Sequence, residues 1–342
     1  MKKMMKYFVL IILLAVVAVG FFAYNYLYKR NTGFDEKSKL IYIHTGANFS
    51  DVVNELKSEN IIKDVTAFEW LSKKKKYTSK VRPGCYRITK GMTNEAIVNL
   101  LRSGIQQPVE VKFNNLRIPS QLAGAIAGQI EADSLSLYKM LVDENVAKSY
   151  GFNGNSFIAM YVPNTYEFYW NTSAEGFVKR MAKEYKSFWN LSRKAKAKKW
   201  NLTESEITTL ASIVQEETNM ATDKPIVAGV YLNRLKKNIP LEADPTLKFA
   251  LQDFTIKRIL NVDKDVISPY NTYKNQGLPP GPICIPDVST IDAVLNATEH
   301  DYIFFCAKED FSGYSNFAVT NAEHEINAKK YQQALNKMNI KR

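Results

Sequence analysis

Two adjacent glutamates, Glu216 and Glu217, are the residues of this sequence best placed to move a proton. Upstream, Thr203-Glu204-Ser205-Glu206 has the form of a capping box, a threonine followed three residues later by a glutamate, and predicts a helix start. Ile207, Leu210, Ala211 and Val214 then recur at helical spacing, an apolar stripe that must face a core. Glu217 continues that stripe, about 20° from Leu210 around the axis at ~100° per residue, whereas Glu216 points roughly 100° away. Burial disfavours a charged carboxylate, so Glu217 is expected to keep its proton nearer neutral pH, as a general acid must. A purely structural reading competes: a buried carboxylate satisfied by the next helix, residues 223–238, or by Arg234.

The loops that follow add polar groups. The segment Leu241-Glu242-Ala243-Asp244-Pro245-Thr246 places Asp244 in a rigid turn. Residues 268–273 (SPYNTY) and 277–283 (GLPPGPI) set tyrosine, amide and hydroxyl groups between prolines. Such groups on stiff backbone suit an uncharged polyol better than a phosphate, which calls for glycine-rich amides and arginines. Proline-rich surface punctuation is the alternative reading of the same residues.

The elements that must position these groups follow a long apolar run. Tyr7 to Tyr24 carries no charge and continues through Tyr28. About 20 residues cross a ~30 Å hydrocarbon core, and tyrosines stand at both ends of the run as interfacial belts. We expect a short cytoplasmic tail (1–6), one transmembrane helix (7–28) and the rest of the chain outside. A cleaved signal peptide is the rival, but its small-residue site, Ala18-Val19-Gly20, falls inside the apolar run.

Composition agrees with a globular chain: 46% apolar and 23% charged residues in 342 exclude disorder or coiled coil as the dominant theme. The net charge of +12 leaves nucleic acid, an anionic membrane surface or an acidic polymer as partners. A domain across the membrane makes nucleic acid a poor one. The densest basic clusters, Lys73 to Lys76 and Arg193 to Lys199, lack interleaved aromatics and read as solvated faces that lean on lipid headgroups. Cys85, Cys284 and Cys306 form no disulfide framework, and His44, His300 and His324 sit at no metal-ligand spacing with them, so no metal site is expected.

The fold class expected is α+β. After a polar linker (29–39) comes a small module (40–106). It has strands at 40–43 and 85–88, helices capped by Ser50 and Thr93, another starting at Thr66, and a Pro83-Gly84 turn. Val109 to Phe113 reads as a connecting strand. Residues 119–200 read as mostly helical, interrupted by a loop at 151–164. From 201 to 342, helices alternate with proline-rich loops and a short buried strand at 302–307.

The segments ASIVQEETNMATDKPIVAGVYLNRLKKNIPLEADPT (211–246) and SPYNTYKNQGLPPGPI (268–283) resemble the YceG-like family of endolytic murein transglycosylases. The resemblance covers the whole chain and implies a LysM-like module at 40–106 and a larger mixed α/β catalytic domain at 107–342, with its core at 201–342. It implies cleavage of MurNAc–GlcNAc β-1,4 bonds in nascent peptidoglycan strands, without water, to give 1,6-anhydro ends. Glu217 would be the single general acid and base. Asp244 would position the loop or the substrate, and Asn233, Thr246, Tyr270, Asn271 and Tyr273 would bind sugar hydroxyl and acetamido groups. No metal or cofactor is implied. Peptidoglycan polymerases are the implied partners, and the implied site is the cytoplasmic (inner) membrane with the catalytic domain on its outer, periplasmic side.

The chain departs from the family pattern in several places, among them the missing glutamate of a stretch like E-G-x-L-F-P-D-T-Y. Gln215 replaces the first acid of E-x-E-T, Asn164 replaces an aspartate, and Glu325 replaces the asparagine of E-H-N, whose His324 we read as structural. Two rivals remain open. A muramidase-type hydrolase would use Asp244 as second carboxylate, and a non-catalytic wall-binding scaffold would need only the module and the anchor.

Overall fold

The computed structural model describes residues 2–256 and 258–338. The chain forms two compact units. One holds the residues up to Val111 with Gln129–Ala132 and Tyr166–Ser173, and the other holds 112–128, 133–165 and the chain from Ala174 onward.

The first unit begins with α1 (Lys2–Tyr28). Within its stretch Met4–Tyr28 the most apolar window has a mean hydropathy of 2.7 and none of it is buried, so the helix is long and apolar enough to cross a membrane. Next come β1 (Ser38–Ile43), α2 (Phe49–Ser58), α3 (Val65–Lys74), β2 (Gly84–Thr89) and α4 (Asn94–Ser103). β1 and β2 pair antiparallel with Ile41 opposite Tyr86 and Lys39 opposite Ile88. Alternation sends Ile41, Ile43, Tyr86 and Ile88 into one core with Leu56, Phe68, Leu71, Ile97 and Leu101.

Two caps differ from expectation. Asn48, not Ser50, caps α2, because its carboxamide accepts the amides of Ser50 and Asp51 while Asp51 returns the bond. Asp64 caps α3, two residues before Thr66. Thr93 caps α4 as read from the sequence. The stretch expected as a linker is folded instead. Asn31, Thr32 and Phe34 are buried, because Phe34 joins the core and Asn31 can both donate to Asp64 O and accept the Asp64 amide.

Two strands, β3 (Val109–Phe113) and β4 (Asn164–Phe168), pair with each other. β4 was not foreseen within the 119–200 region. Its alternation is only five residues long, with Tyr166 and Phe168 turned inward. The same stretch of chain also forms α5 (Pro119–Ala127), α6 (Ser134–Val142), α7 (Glu144–Ser149), a 3-10 turn at Phe157–Met160, α8 (Ala174–Phe188) and α9 (Leu191–Lys199).

The second unit is organised around α10 (Glu204–Glu217), which packs against α11 (Lys224–Lys236), α12 (Asp244–Leu251) and α13 (Val288–Leu295). Thr203 and Glu206 close the expected capping box. Ile207, Leu210, Ala211 and Val214 enter a core with Val227, Tyr231, Leu241 and Val294. The chain ends in β5 (Phe304–Ala307), β6 (Ser315–Ala318) and α14 (Asn321–Lys337). β5 is shorter and less buried than expected of 302–307, because it pairs only with β6 in a two-stranded hairpin.

Candidate active site

Glu217 is the last residue of α10, where the chain turns extended at Thr218. From α11, the Tyr231 hydroxyl donates a 2.6 Å hydrogen bond to Glu217 Oε1. Tyr231 is itself 1% exposed, its ring edge-on to Phe305 at 5.9 Å. Glu217 is half-buried, and its carboxyl is pushed up to about 7. Burial is the main cause. The Tyr231 bond opposes it, the charge of Asp244 adds to it, Lys248 opposes and Glu216 adds. The C-terminal end of a helix also disfavours a carboxylate.

Asp244 opens α12, at the end of a helix dipole that favours negative charge. It is exposed, and the Tyr273 hydroxyl donates to its Oδ1 at 2.6 Å. Burial, then the Asp244 bond, raises the Tyr273 phenol above its ordinary range, and Lys264 Nζ lies 4.5 Å from that ring's centre. The site therefore holds two carboxylate–phenol pairs, Glu217–Tyr231 and Asp244–Tyr273. One carboxyl group is inclined to keep its proton, and the other is a neighbouring negative charge.

Of the other binding candidates, three are absorbed by the fold. Thr246 is buried, donating to Ala243 O at 2.7 Å and sharing a 2.8 Å bond with Thr272 Oγ1. Asn271 is buried, donating to Lys264 O and Val266 O while its Oδ1 accepts the Tyr273 amide. These bonds fix the turns that present Asp244 and Tyr273. Asn233 donates to His300 O at 2.6 Å and Tyr302 O at 3.0 Å, tying α11 to the start of the β5 hairpin rather than facing Glu217. Tyr270 is half-buried, its ring 4.6 Å from that of Phe249.

The 277–283 segment runs along α10 and does not gather at Glu217. Gly277 to Pro280 line a cleft of about 550 Å³ with Thr203, Ser205 and Glu206, at the opposite end of that helix. Gly281 passes so close to Asn155 that a Cβ would sit 2.0 Å from its carbonyl oxygen. Ile283 N then donates to Ser212 Oγ at 3.0 Å, at mid-helix.

Arg234 does not satisfy Glu217. It donates to Pro240 O, Ile303 O and the Glu242 carboxylate. Glu216 pairs with Arg117 at 2.8 Å, whose guanidinium lies 4.9 Å from the Phe254 ring centre. Gln215 Oε1 accepts the Asp287 amide and the Thr290 hydroxyl, holding α13 against α10. Sequence reasoning missed Tyr231 and Lys248. A tyrosine inside the apolar run IVAGVYL was the available signal, since a buried phenol needs a polar partner.

Comparison with known proteins places these features in one group. The YceG-like family pattern matches residues 41–330. A Bacillus subtilis protein named endolytic murein transglycosylase is 32% identical over 312 residues, 86% of this chain and 85% of that protein. A Streptococcus pneumoniae protein of the same name is 27% identical over 358 residues, covering 93% of this chain, which spans 63% of that relative's length. The crystal structure of a yceG-like protein from Listeria monocytogenes superposes with a TM-score of 0.56 at 25% identity, over 85% of this chain and 99% of that one. Matched along most of its length by the family pattern and by the Bacillus relative, the chain belongs to the YceG-like family.

Proposed function

We propose that this chain is an endolytic murein transglycosylase that uses Glu217 as its only general acid and base. The observation that carries the reading is the placement of Glu217: half-buried at a helix end, inclined to keep its proton, and held through one oxygen by Tyr231. With Oε1 engaged, Oε2 is left to carry the proton. Glu217 would protonate the glycosidic oxygen between MurNAc and GlcNAc as the bond to muramyl C1 breaks. The resulting carboxylate would then take the proton of the muramyl C6 hydroxyl while O6 closes onto C1, giving the 1,6-anhydro end. The nucleophile belongs to the substrate, so one carboxyl group suffices where an ordinary glycosidase uses two. Asp244 and Tyr273 would contact the sugar beside it.

In this reading α1 anchors the chain in the cytoplasmic membrane. The chain beyond α1 lies on its outer side, where nascent strands and their polymerases are found, and residues 40–106 act as a LysM-like module. A hydrolase is the second reading, favoured by the presence of Asp244 beside Glu217. The full chain, wild type and Glu217→Gln, should be given un-crosslinked glycan strands and the products weighed by mass spectrometry. Fragments lighter by one water from the wild type alone support the proposal. Reducing ends would move the assignment to hydrolase, and equal cutting by both proteins would remove Glu217 from the chemistry.

A further inference from the structure

We propose that the exposed face of α3 with Trp70, Lys73 and Lys74, together with Lys76 just beyond its end, docks on anionic lipid headgroups and seats the first unit against the bilayer where α1 emerges. The inference rests on reading α1 as a membrane span. Counted from Tyr7, ~20 residues bring the apolar stretch across a ~30 Å core near Tyr26, and the headgroup layer beyond adds only about 5–7 Å. The Trp70 ring lies 5.5 Å from that of Tyr26, edge-on, a distance comparable with the thickness of that layer.

Little slack separates the helix from the module. Asn94 Nδ2 donates to Tyr26 O at 3.1 Å, and Arg30 forms a β-bridge with Thr93. Asn31 N donates to Met92 O at 2.9 Å, and Asn31 Nδ2 donates to Asp64 O at 2.9 Å. α1 is thereby stapled to the starts of α3 and α4 within three residues of its last turn.

The side chains on that face suit a lipid interface. Trp70 is 42% exposed, a large cost in water for an indole but the ordinary position of tryptophan at a membrane surface. Lys74 Nζ lies 5.8 Å from its ring centre, and Lys73 and Lys76 are exposed. None of these three lysines forms an ion pair among the described residues, whereas Lys75 between them turns inward to Glu95 at 2.6 Å. The other basic cluster differs: Arg193 pairs with Asp292, Lys194 with Glu204 and Lys199 with Glu299. Unpaired lysines around an exposed indole match headgroup phosphates, with lysine stems lying along the apolar layer.

The test uses the full chain in phosphatidylcholine–phosphatidylglycerol vesicles whose acyl chains are brominated near the glycerol end and quench nearby indoles. The chain has four tryptophans, so the difference between wild type and Trp70→Phe isolates Trp70. The proposal expects strong quenching in wild type and loss of that component in Trp70→Phe. It also expects a smaller component in Lys73→Gln/Lys74→Gln/Lys76→Gln, and in wild type on phosphatidylcholine alone. The lipid comparison needs no substitution, so a misfolded variant cannot mimic the result. Retention through an alkaline carbonate wash, with equal quenching of wild type and Trp70→Phe, overturns the docking surface while the span stands. Equal quenching of Trp70 with and without phosphatidylglycerol overturns the anionic headgroup as partner. Release by carbonate overturns the span and this surface with it.

Discussion

The Tyr231 hydroxyl reaches across from α11 to donate a 2.6 Å hydrogen bond to Glu217 Oε1 at the end of α10. Both groups are drawn from an apolar environment, and each raises the other's pKa or limits its shift. Burial drives Glu217 up, the tyrosine bond restrains it, and the carboxylate in turn adds to the rise of the Tyr231 phenol. In the proposed reaction this pair would set both the orientation of the acid and the pH at which it works.

Tyr231→Phe should keep the ring packed on Phe305 while removing the donor. Glu217 then loses the bond that favours its charged form, so its pKa rises further and the alkaline limb of the pH–rate profile moves upward. We expect kcat to fall about tenfold from the loosened carboxyl. A lowered melting temperature with an unmoved pH profile would reduce Tyr231 to packing.

Cleavage of glycan strands should decline as pH rises through about 7, because a general acid must carry its proton. Glu217→Gln should lower the rate on the order of 10³-fold. A flat pH profile between 5 and 9, in units measured on the same strands, would contradict the assignment of Glu217 as acid.

Stability should report the same group, and in the same direction. The folded pKa of Glu217 lies above its ordinary value of 4.5, so the fold binds a proton that the unfolded chain releases between 4.5 and about 7. That contribution is fully present below 4.5 and lost as pH rises through 7. Glu217→Gln should therefore gain stability over wild type at pH 8, by about 3 kcal/mol at the limit, and little at pH 4. Thermal unfolding at the two pH values measures it.

Asp244→Asn removes a negative neighbour of Glu217 and the charged acceptor of Tyr273. The alkaline limb should shift to lower pH, and the remaining products should still end in anhydro sugar. Complete loss of cutting, with reducing ends from the wild type, is what a two-carboxylate hydrolase predicts.

Asn271→Ala should act on stability more than on chemistry. It leaves the carbonyls of Lys264 and Val266 and the amide of Tyr273 without their partner, a loss of about 2–3 kcal/mol read by denaturant unfolding. Gly281→Ala should be of similar size, because its Cβ would meet Asn155 O at 2.0 Å. A variant of Asn271 with native stability and a raised KM would instead return it to the substrate.

Local pattern was enough for much of this protein. The apolar run of α1, the Thr203–Glu206 box, the Thr93 cap and the strand at Val109–Phe113 follow from period, cap chemistry and β-propensity, which depend on neighbours in the chain. The inward aim of Glu217 follows from helical geometry in the same way. The destinations of the polar side chains do not. Asn233, Thr246 and Asn271 carry the same donors and acceptors whether they meet a sugar or a backbone carbonyl, and only tertiary folding brought carbonyls to them. Arg234 was a partner that sequence reasoning offered to Glu217, and the turn after α11 delivered it to Glu242 instead. The partner of Glu217 was decided by the packing of α10 on α11, a contact between residues 14 apart in the chain that no local period encodes.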